Sequence, residues 1–96
     1  MAKKKNVKKD IEYLTFEVVA DCFSALELYP ERKKDEIFDI INDAVKSGNN
    51  LMERVNQKNI GDKKVIKQHY REIYADLLKG ADEQFTRLSK VISAEK

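Results

Sequence analysis

Three pairs of carboxylates are the residues of this chain whose spacing is best suited to chemistry. They are Glu17 and Asp21, Asp39 and Asp43, and Glu72 and Asp76. Residues four apart lie on one face of an α-helix, so each pair could contribute to a metal site. On helical wheels, however, the pairs lie opposite the apolar residues, whereas metal sites of helical bundles point inward and use a Glu-x-x-His motif that is absent here. We therefore interpret the pairs as solvated acidic faces and predict no metal site and no cofactor.

The single cysteine and the single histidine are the next candidates, as a nucleophile and its base. Cys22 lies at the centre of an apolar helical face, where burial makes a thiol less acidic and less reactive. His69 lies at the edge of such a face, and no third group is evident that would orient its imidazole. The chain has no phosphate-binding glycine loop, zinc-type spacing or nucleophile elbow. We predict a core cysteine, a surface or edge histidine, no enzymatic activity and no small-molecule substrate.

Basic residues form two clusters that could contact phosphates. The first nine residues carry five lysines, and residues 53–71 carry six basic residues against two acidic ones. Because the net charge of the chain is only +2, the remainder is acidic. In an up-down-up bundle both clusters lie at one end, which allows nonspecific association with nucleic acid. The candidate phosphate contacts are Lys3, Lys4, Lys5, Lys8, Lys9, Lys63, Lys64 and Lys67.

These residues must be positioned by helices, because apolar residues recur three or four apart along most of the chain. The first row, from Ile11 to Ala25, predicts a helix over about 10–28, with Asp10 as its N-cap and Pro30 beyond its end. The second row predicts a helix over about 35–56 whose phase continues through Gly48, which favours one continuous helix over a kinked one. Asp62 is a good N-cap for a third helix over about 62–93, the longest of the three. We expect its C-terminal turns to project beyond the bundle.

The short connections between these helices favour antiparallel neighbours, so the fold class is all-α, an up-down-up three-helix bundle with a long third helix. The length of 96 residues suits one domain, which we assign to 10–96, with residues 1–9 as a flexible basic arm. One cysteine and the absence of any apolar run of about 18 residues indicate a cytoplasmic protein with no membrane association.

The apolar arc of the first helix is wider than one packing face requires. Phe16, Val19 and Phe23 extend it, and aromatic residues left uncovered by the bundle favour association with another protein. We predict a protein-interaction or assembly module that binds a second copy of itself or another protein through these residues. The alternatives are that this helix is simply the most buried one, or that the basic clusters bind nucleic acid.

Two segments resemble a known group of proteins. The opening MAKKKNVKKDIEYLTFEVVADC and the segment LMERVNQ are similar to small helical proteins of Bacteroidetes-type bacteria, over roughly the first 56 residues. The family has no assigned activity, so the resemblance implies a bacterial cytoplasmic helical bundle and no site residues.

Overall fold

The computed structural model describes residues 4–28, 34–58 and 60–93, and these form three α-helices. Helix α1 spans Lys4–Leu28, α2 spans Lys34–Asn56 and α3 spans Lys63–Ser93. Every pair of helices is in contact, which confirms the all-α three-helix bundle. The molecule is a rod about 52 Å long, only slightly longer than the roughly 46 Å expected for the 31 residues of α3 at 1.5 Å per residue.

The buried side chains form two clusters along this rod, and their composition fixes the helix directions. One cluster joins the second half of α1 (Cys22) to the first half of α2 (Ile40) and the end of α3 (Leu88). The other joins the start of α1 to the end of α2 and the first half of α3, through Val7, Val55 and Ile73 among others. The partly buried Leu14 packs against both clusters. Helices that follow each other in the chain are therefore antiparallel, and α1 and α3 run parallel, in the predicted up-down-up order.

Helix α1 begins at Lys4, so the assignment of residues 1–9 to a flexible arm is wrong for residues 4–9, and Asp10 is not an N-cap. The reason is Val7, four residues before Ile11 on the same helical face, which is fully buried among Val55 and Ile73. This packing outweighs the unfavourable placement of lysines at the positive end of the helix dipole. Residues 1–3, including Lys3, lie outside the described part of the chain.

Helix α2 is continuous through Gly48, as predicted, and the glycine has a packing role. A Cβ atom at position 48 would lie 2.7 Å from the Oγ1 atom of Thr15. The missing side chain therefore allows α1 and α2 to approach closely at the middle of the rod. It also fixes the register of these two helices, with Thr15 opposite Gly48.

Helix α3 is capped as predicted, because the carboxylate of Asp62 accepts a hydrogen bond from the backbone amide of Val65 at 3.1 Å. Just before it, Gly61 has φ 138°, a conformation that residues with a side chain rarely adopt. The expected projection of its C-terminal turns is wrong: Leu88 is buried, and Ile92 packs against the same cluster of all three helices. The exposed end of α3 is instead its first two turns, residues 63–68.

Candidate interaction surface

An apolar groove runs along the outside of the bundle between α1 and α2. Phe16 and Val19 line it from α1, and Val45 and Met52 line it from α2, with Gly48 at its floor. Phe16 is 67% exposed and Val45 is 42% exposed, so the bundle itself leaves these side chains in water. Two of the three predicted interaction residues, Phe16 and Val19, thus line one groove.

The third predicted residue extends this surface towards the other end of the rod. Phe23 lies seven residues after Phe16, which places it on the same face of α1, and it is 53% exposed. On α2, Phe38 lies seven residues before Val45, on the same face, and it is 46% exposed. We call this surface the α1–α2 face and define it by Phe16, Val19, Phe23, Phe38, Val45 and Met52.

The other two grooves between helices are bridged by polar contacts. Arg54 binds Asp76 and Arg87 binds Asp43, each with 2.7 Å between nitrogen and oxygen, and both pairs join α2 to α3. Across α1 and α3, the hydroxyl of Tyr74 donates a hydrogen bond to the carboxylate of Asp10. Exposed ion pairs add little stability, but they keep these two grooves polar. The α1–α2 face is the groove whose exposed lining is dominated by aromatic and aliphatic side chains.

The carboxylate pairs predicted as solvated faces lie as expected. Five of their six side chains are exposed and Glu17 is half-buried. Asp43 and Asp76 are the partners of the two arginines on α3 and α2. Among the described residues, no three His, Cys, Asp or Glu side chains are grouped so that they could hold a metal ion.

Cys22 is a core residue, as predicted, with none of its surface exposed. Burial raises the pKa of its thiol, the adjacent Asp21 raises it further and Arg87 lowers it. Cys22 belongs to the core cluster that holds the end of α3, whereas His69 lies near the start of that helix. The fold therefore does not bring the cysteine and the histidine together as a catalytic pair.

His69 has a structural contact that its edge position on the helix did not reveal. Its Nε2 atom donates a hydrogen bond to the backbone carbonyl of Arg54, with 2.7 Å between the atoms. That carbonyl lies in the last turn of α2, where carbonyl oxygens have no partner within the helix. His69 thus ties the end of α2 to α3 across the 57–62 connection.

The structure places both lysine clusters at one end of the rod, as the topology predicts. Lys4, Lys5 and Lys9 are exposed and Lys8 is partly buried in the first turns of α1, where with Glu12 they line one open surface. Lys63, Lys64 and Lys67 are exposed on the first turns of α3, and Lys64 lines a second, separate surface beside His69. The two clusters therefore share a pole without lining one common groove.

The contact between Tyr74 and Asp10 was missed by sequence reasoning, because its partners are 64 residues apart. The hydrogen bond to Asp10, together with partial burial and the negative charge of that carboxylate, raises the pKa of Tyr74 to about 12. The sequence contains only a weak indication of this contact. Tyr74 flanks the apolar row of α3, and a tyrosine at such a position often buries its ring while its hydroxyl binds a polar partner.

No protein-family model, curated protein or solved structure matches this chain. The resemblance to small bacterial helical proteins therefore stays a prediction. No helix in the described part of the chain is long and apolar enough to span a bilayer.

Proposed function

We propose that this protein is a helical protein–protein interaction module that binds through the α1–α2 face. The observation that carries the proposal is the exposure of Phe16, at 67%, and of Phe23, at 53%, on the same face of one helix. Aromatic residues are enriched in the centres of protein interfaces. A single exposed apolar side chain needs no explanation, but a contiguous apolar groove on a small bundle favours association.

The size of the surface sets the kind of partner it requires. A large aromatic side chain carries about 150–250 Å² of surface, so the exposed parts of Phe16, Phe23 and Phe38 together leave on the order of 300 Å² in water. At about 25 cal/mol per Å², burying that area contributes about 7 kcal/mol. Association costs on the order of 4–15 kcal/mol in lost freedom of motion. A stable complex therefore needs a partner that buries a comparable apolar area of its own.

The test is substitution of Phe16→Glu, with Leu78→Glu as the matched control. Leu78 is 60% exposed and lies on α3, outside the α1–α2 face. Both substitutions place a charge on an exposed apolar site, so circular dichroism should show that both variants remain folded. We expect Phe16→Glu to abolish self-association in multi-angle light scattering, or capture of a protein partner from lysate, while Leu78→Glu retains it.

Two outcomes contradict the proposal. One is a folded wild-type protein that is monomeric at every concentration and that captures the same proteins from lysate as the Phe16→Glu variant does. The other is equal loss of binding in Phe16→Glu and Leu78→Glu, because the effect would then reflect charge in general and not this surface. Unfolding of Phe16→Glu is addressed by Phe23→Glu, which tests the same face one helical repeat away.

The second candidate function is nonspecific nucleic-acid association through the basic end. Its support is that Lys4, Lys5 and Lys9 on α1 and Lys63, Lys64 and Lys67 on α3 are all exposed at one end of the rod. Lysines in such an arrangement can neutralise phosphates, and affinity should then fall steeply as salt rises. Against it, Tyr70 is the only phenylalanine, tyrosine or tryptophan of the 53–71 cluster, whereas single-strand binders stack successive bases on several aromatic side chains.

Reversal of Lys63, Lys64 and Lys67 to glutamate separates the two candidates. These residues lie outside the α1–α2 face, so protein association should persist in the variant. Fluorescence anisotropy with labelled DNA and RNA at low salt measures nucleic-acid binding by the wild type and the variant. Nucleic-acid binding by the wild type that the variant loses would favour the second candidate, and absence of binding by the wild type would eliminate it.

A further inference from the structure

The exposed row on α1 that contains Phe16 continues to both ends of the helix. Residues on this row follow one another at intervals of three or four: Lys5, Lys9, Glu12, Phe16, Val19, Phe23 and Glu27. Such spacing is the pattern of a seam that packs against another helix. Within α1 the seam begins with two lysines, continues through Glu12 to an apolar middle and ends with Glu27.

The charges of α1 as a whole are divided in the same way. Its first six residues carry four lysines and no carboxylate, and residues 10–28 carry five carboxylates and no basic residue. This order opposes the helix dipole, which favours carboxylates at the N-terminus and basic residues at the C-terminus. The first turn of α1 contains no acidic residue and its last turn contains no basic one.

Helix α2 has the opposite, favourable arrangement, with Asp35 and Glu36 in its first turn and Arg54 in its last. The charges of α1 therefore destabilise the helix that carries them. Opposite charges supplied by another molecule at each end would offset this cost. The arrangement that supplies both at once is an antiparallel copy of α1, whose acidic end lies beside the basic end.

We propose that the partner of the α1–α2 face is a second copy of this chain, bound with the two α1 helices antiparallel about a two-fold axis near Phe16. Lys5 lies eleven residues before Phe16 and Glu27 lies eleven residues after it. At 1.5 Å per residue both are about 16 Å from the axis, so Lys5 of one copy lies level with Glu27 of the other. The two-fold axis creates this pairing twice.

A second copy supplies the comparable apolar area that the size of this surface requires of a partner. A standard interface buries about 800 Å² on each partner. The three exposed phenylalanine rings of each copy form its centre, the partly exposed Val19, Val45 and Met52 surround them, and the charged ends form its rim. Because the interface uses the same surface twice, its apolar centre meets an apolar centre of equal size.

This inference rests on the proposed interaction function. An exchange of charges between the two ends of α1 tests the antiparallel dimer separately from that function. The variants are Lys5→Glu, Glu27→Lys and the double variant that carries both. Lys5 and Glu27 are exposed, and both glutamate and lysine are good helix formers, so all three variants should fold. Sedimentation equilibrium at low salt gives the dimer dissociation constant of each purified protein.

We expect the wild type to be a dimer, each single variant to bind itself about tenfold more weakly because like charges then face each other twice, and the double variant to recover most of the loss. Lys79→Glu, an exposed site on α3 that does not line this face, makes the same change of net charge and should leave the dimer unchanged. Phe16→Glu should be monomeric.

Several results would overturn the antiparallel dimer. A wild-type dimer that is insensitive to both single charge variants would place Lys5 and Glu27 away from each other, as in parallel helices, where each residue faces its own copy and a charge reversal replaces one like-charge pair with another. A single variant that strengthens the dimer would mean that the changed residue lies beside a like charge of the partner. A strictly monomeric wild type that still captures a protein partner through Phe16 would reject the second copy while retaining the interaction function, and a dimer unaffected by Phe16→Glu would reject both.

Discussion

Tyr74 holds together the two helices that are most distant in sequence, through its hydrogen bond to Asp10. That bond, with partial burial and the carboxylate charge, raises the pKa of Tyr74 to about 12. The tyrosine pKa is near 10 in an unfolded chain. Because the folded pKa is higher, the stabilising contribution is fully present below pH 10 and is lost as the pH rises towards 12.

This predicts a distinct tyrosine in an alkaline titration. Absorbance of tyrosinate should show a late step near pH 12, which belongs to Tyr74. In Asp10→Asn the late step should move to lower pH, because the carboxylate charge and its strong hydrogen bond are removed. An unchanged late step in that variant would show that Asp10 is not the cause.

Cys22 should react slowly with thiol reagents in the folded protein. Its side chain is fully buried, and burial raises the pKa of its thiol, so both access and thiolate population are reduced. We expect modification by a disulfide reagent to be slower by orders of magnitude than in denaturant, because it requires opening of the bundle. Ser24→Cys in a Cys22→Ala background is the exposed control, and equal rates at the two positions would contradict the burial of Cys22.

At the scale of the element, the start of α1 depends on one buried side chain. We predict that Val7→Ala lowers the free energy of unfolding by about 2 kcal/mol, because it leaves a cavity beside Val55 and Ile73. Val65→Ala is the matched control: Val65 is 45% exposed, and its substitution should change stability by less than about 0.5 kcal/mol. Urea denaturation measures both, and equal effects would mean that residues 4–9 are not packed.

The close approach of α1 and α2 predicts an interaction between two substitutions. Gly48→Ala improves helix propensity by about 1 kcal/mol, but its Cβ would lie 2.7 Å from Oγ1 of Thr15. We expect a net loss of about 1–2 kcal/mol, since the helices must separate. With Thr15→Ala the nearest contact becomes the Cβ atom at 3.5 Å. In that background Gly48→Ala should be neutral or stabilising, and additive effects in the double-mutant cycle would contradict the contact.

At the scale of the whole molecule, the division of charge predicts how self-association depends on salt. The Debye length falls from about 10 Å at 0.1 M to about 3 Å at 1 M salt, so attraction between the basic and acidic ends of two copies should be screened. We expect the dimer dissociation constant to rise several-fold over this range. The Lys5→Glu single variant should show the opposite trend, because its ends repel. A wild-type dimer that only strengthens with salt would assign the association to the apolar centre alone.

Much of the fold was predictable because helical periodicity is a local property. The apolar rows predicted the burial of Ile37, Val55, Ile73 and Leu88, and the ends of all three helices lie within a few residues of those predicted apart from the start of α1. The start of α1 was missed because its local signals, the lysines and the capping character of Asp10, favour a later start. The packing of Val7 against two helices that are distant in the chain outweighs these local signals and starts the helix at Lys4.

The sequence predicted which residues of α1 belong to the α1–α2 face, but not which residues of α2 join them. Phe16, Val19 and Phe23 were predicted from the width of the apolar arc on α1 alone. Their neighbours Val45 and Met52 could not be assigned to the same surface, because their position depends on the register of two helices. That register is set by the contact of Gly48 with Thr15.

The sequence by itself determined the number of helices, their approximate bounds, the core position of Cys22 and the division of charge along α1, because each depends on residues close together in the chain. The tertiary structure decided that residues 4–9 are helical, that α3 ends inside the bundle and that Tyr74 binds Asp10. It also decided that the exposed phenylalanines of α1 and α2 form one face. Each of these depends on which helix faces meet and at what height, and that is settled by side-chain packing between residues far apart in the chain.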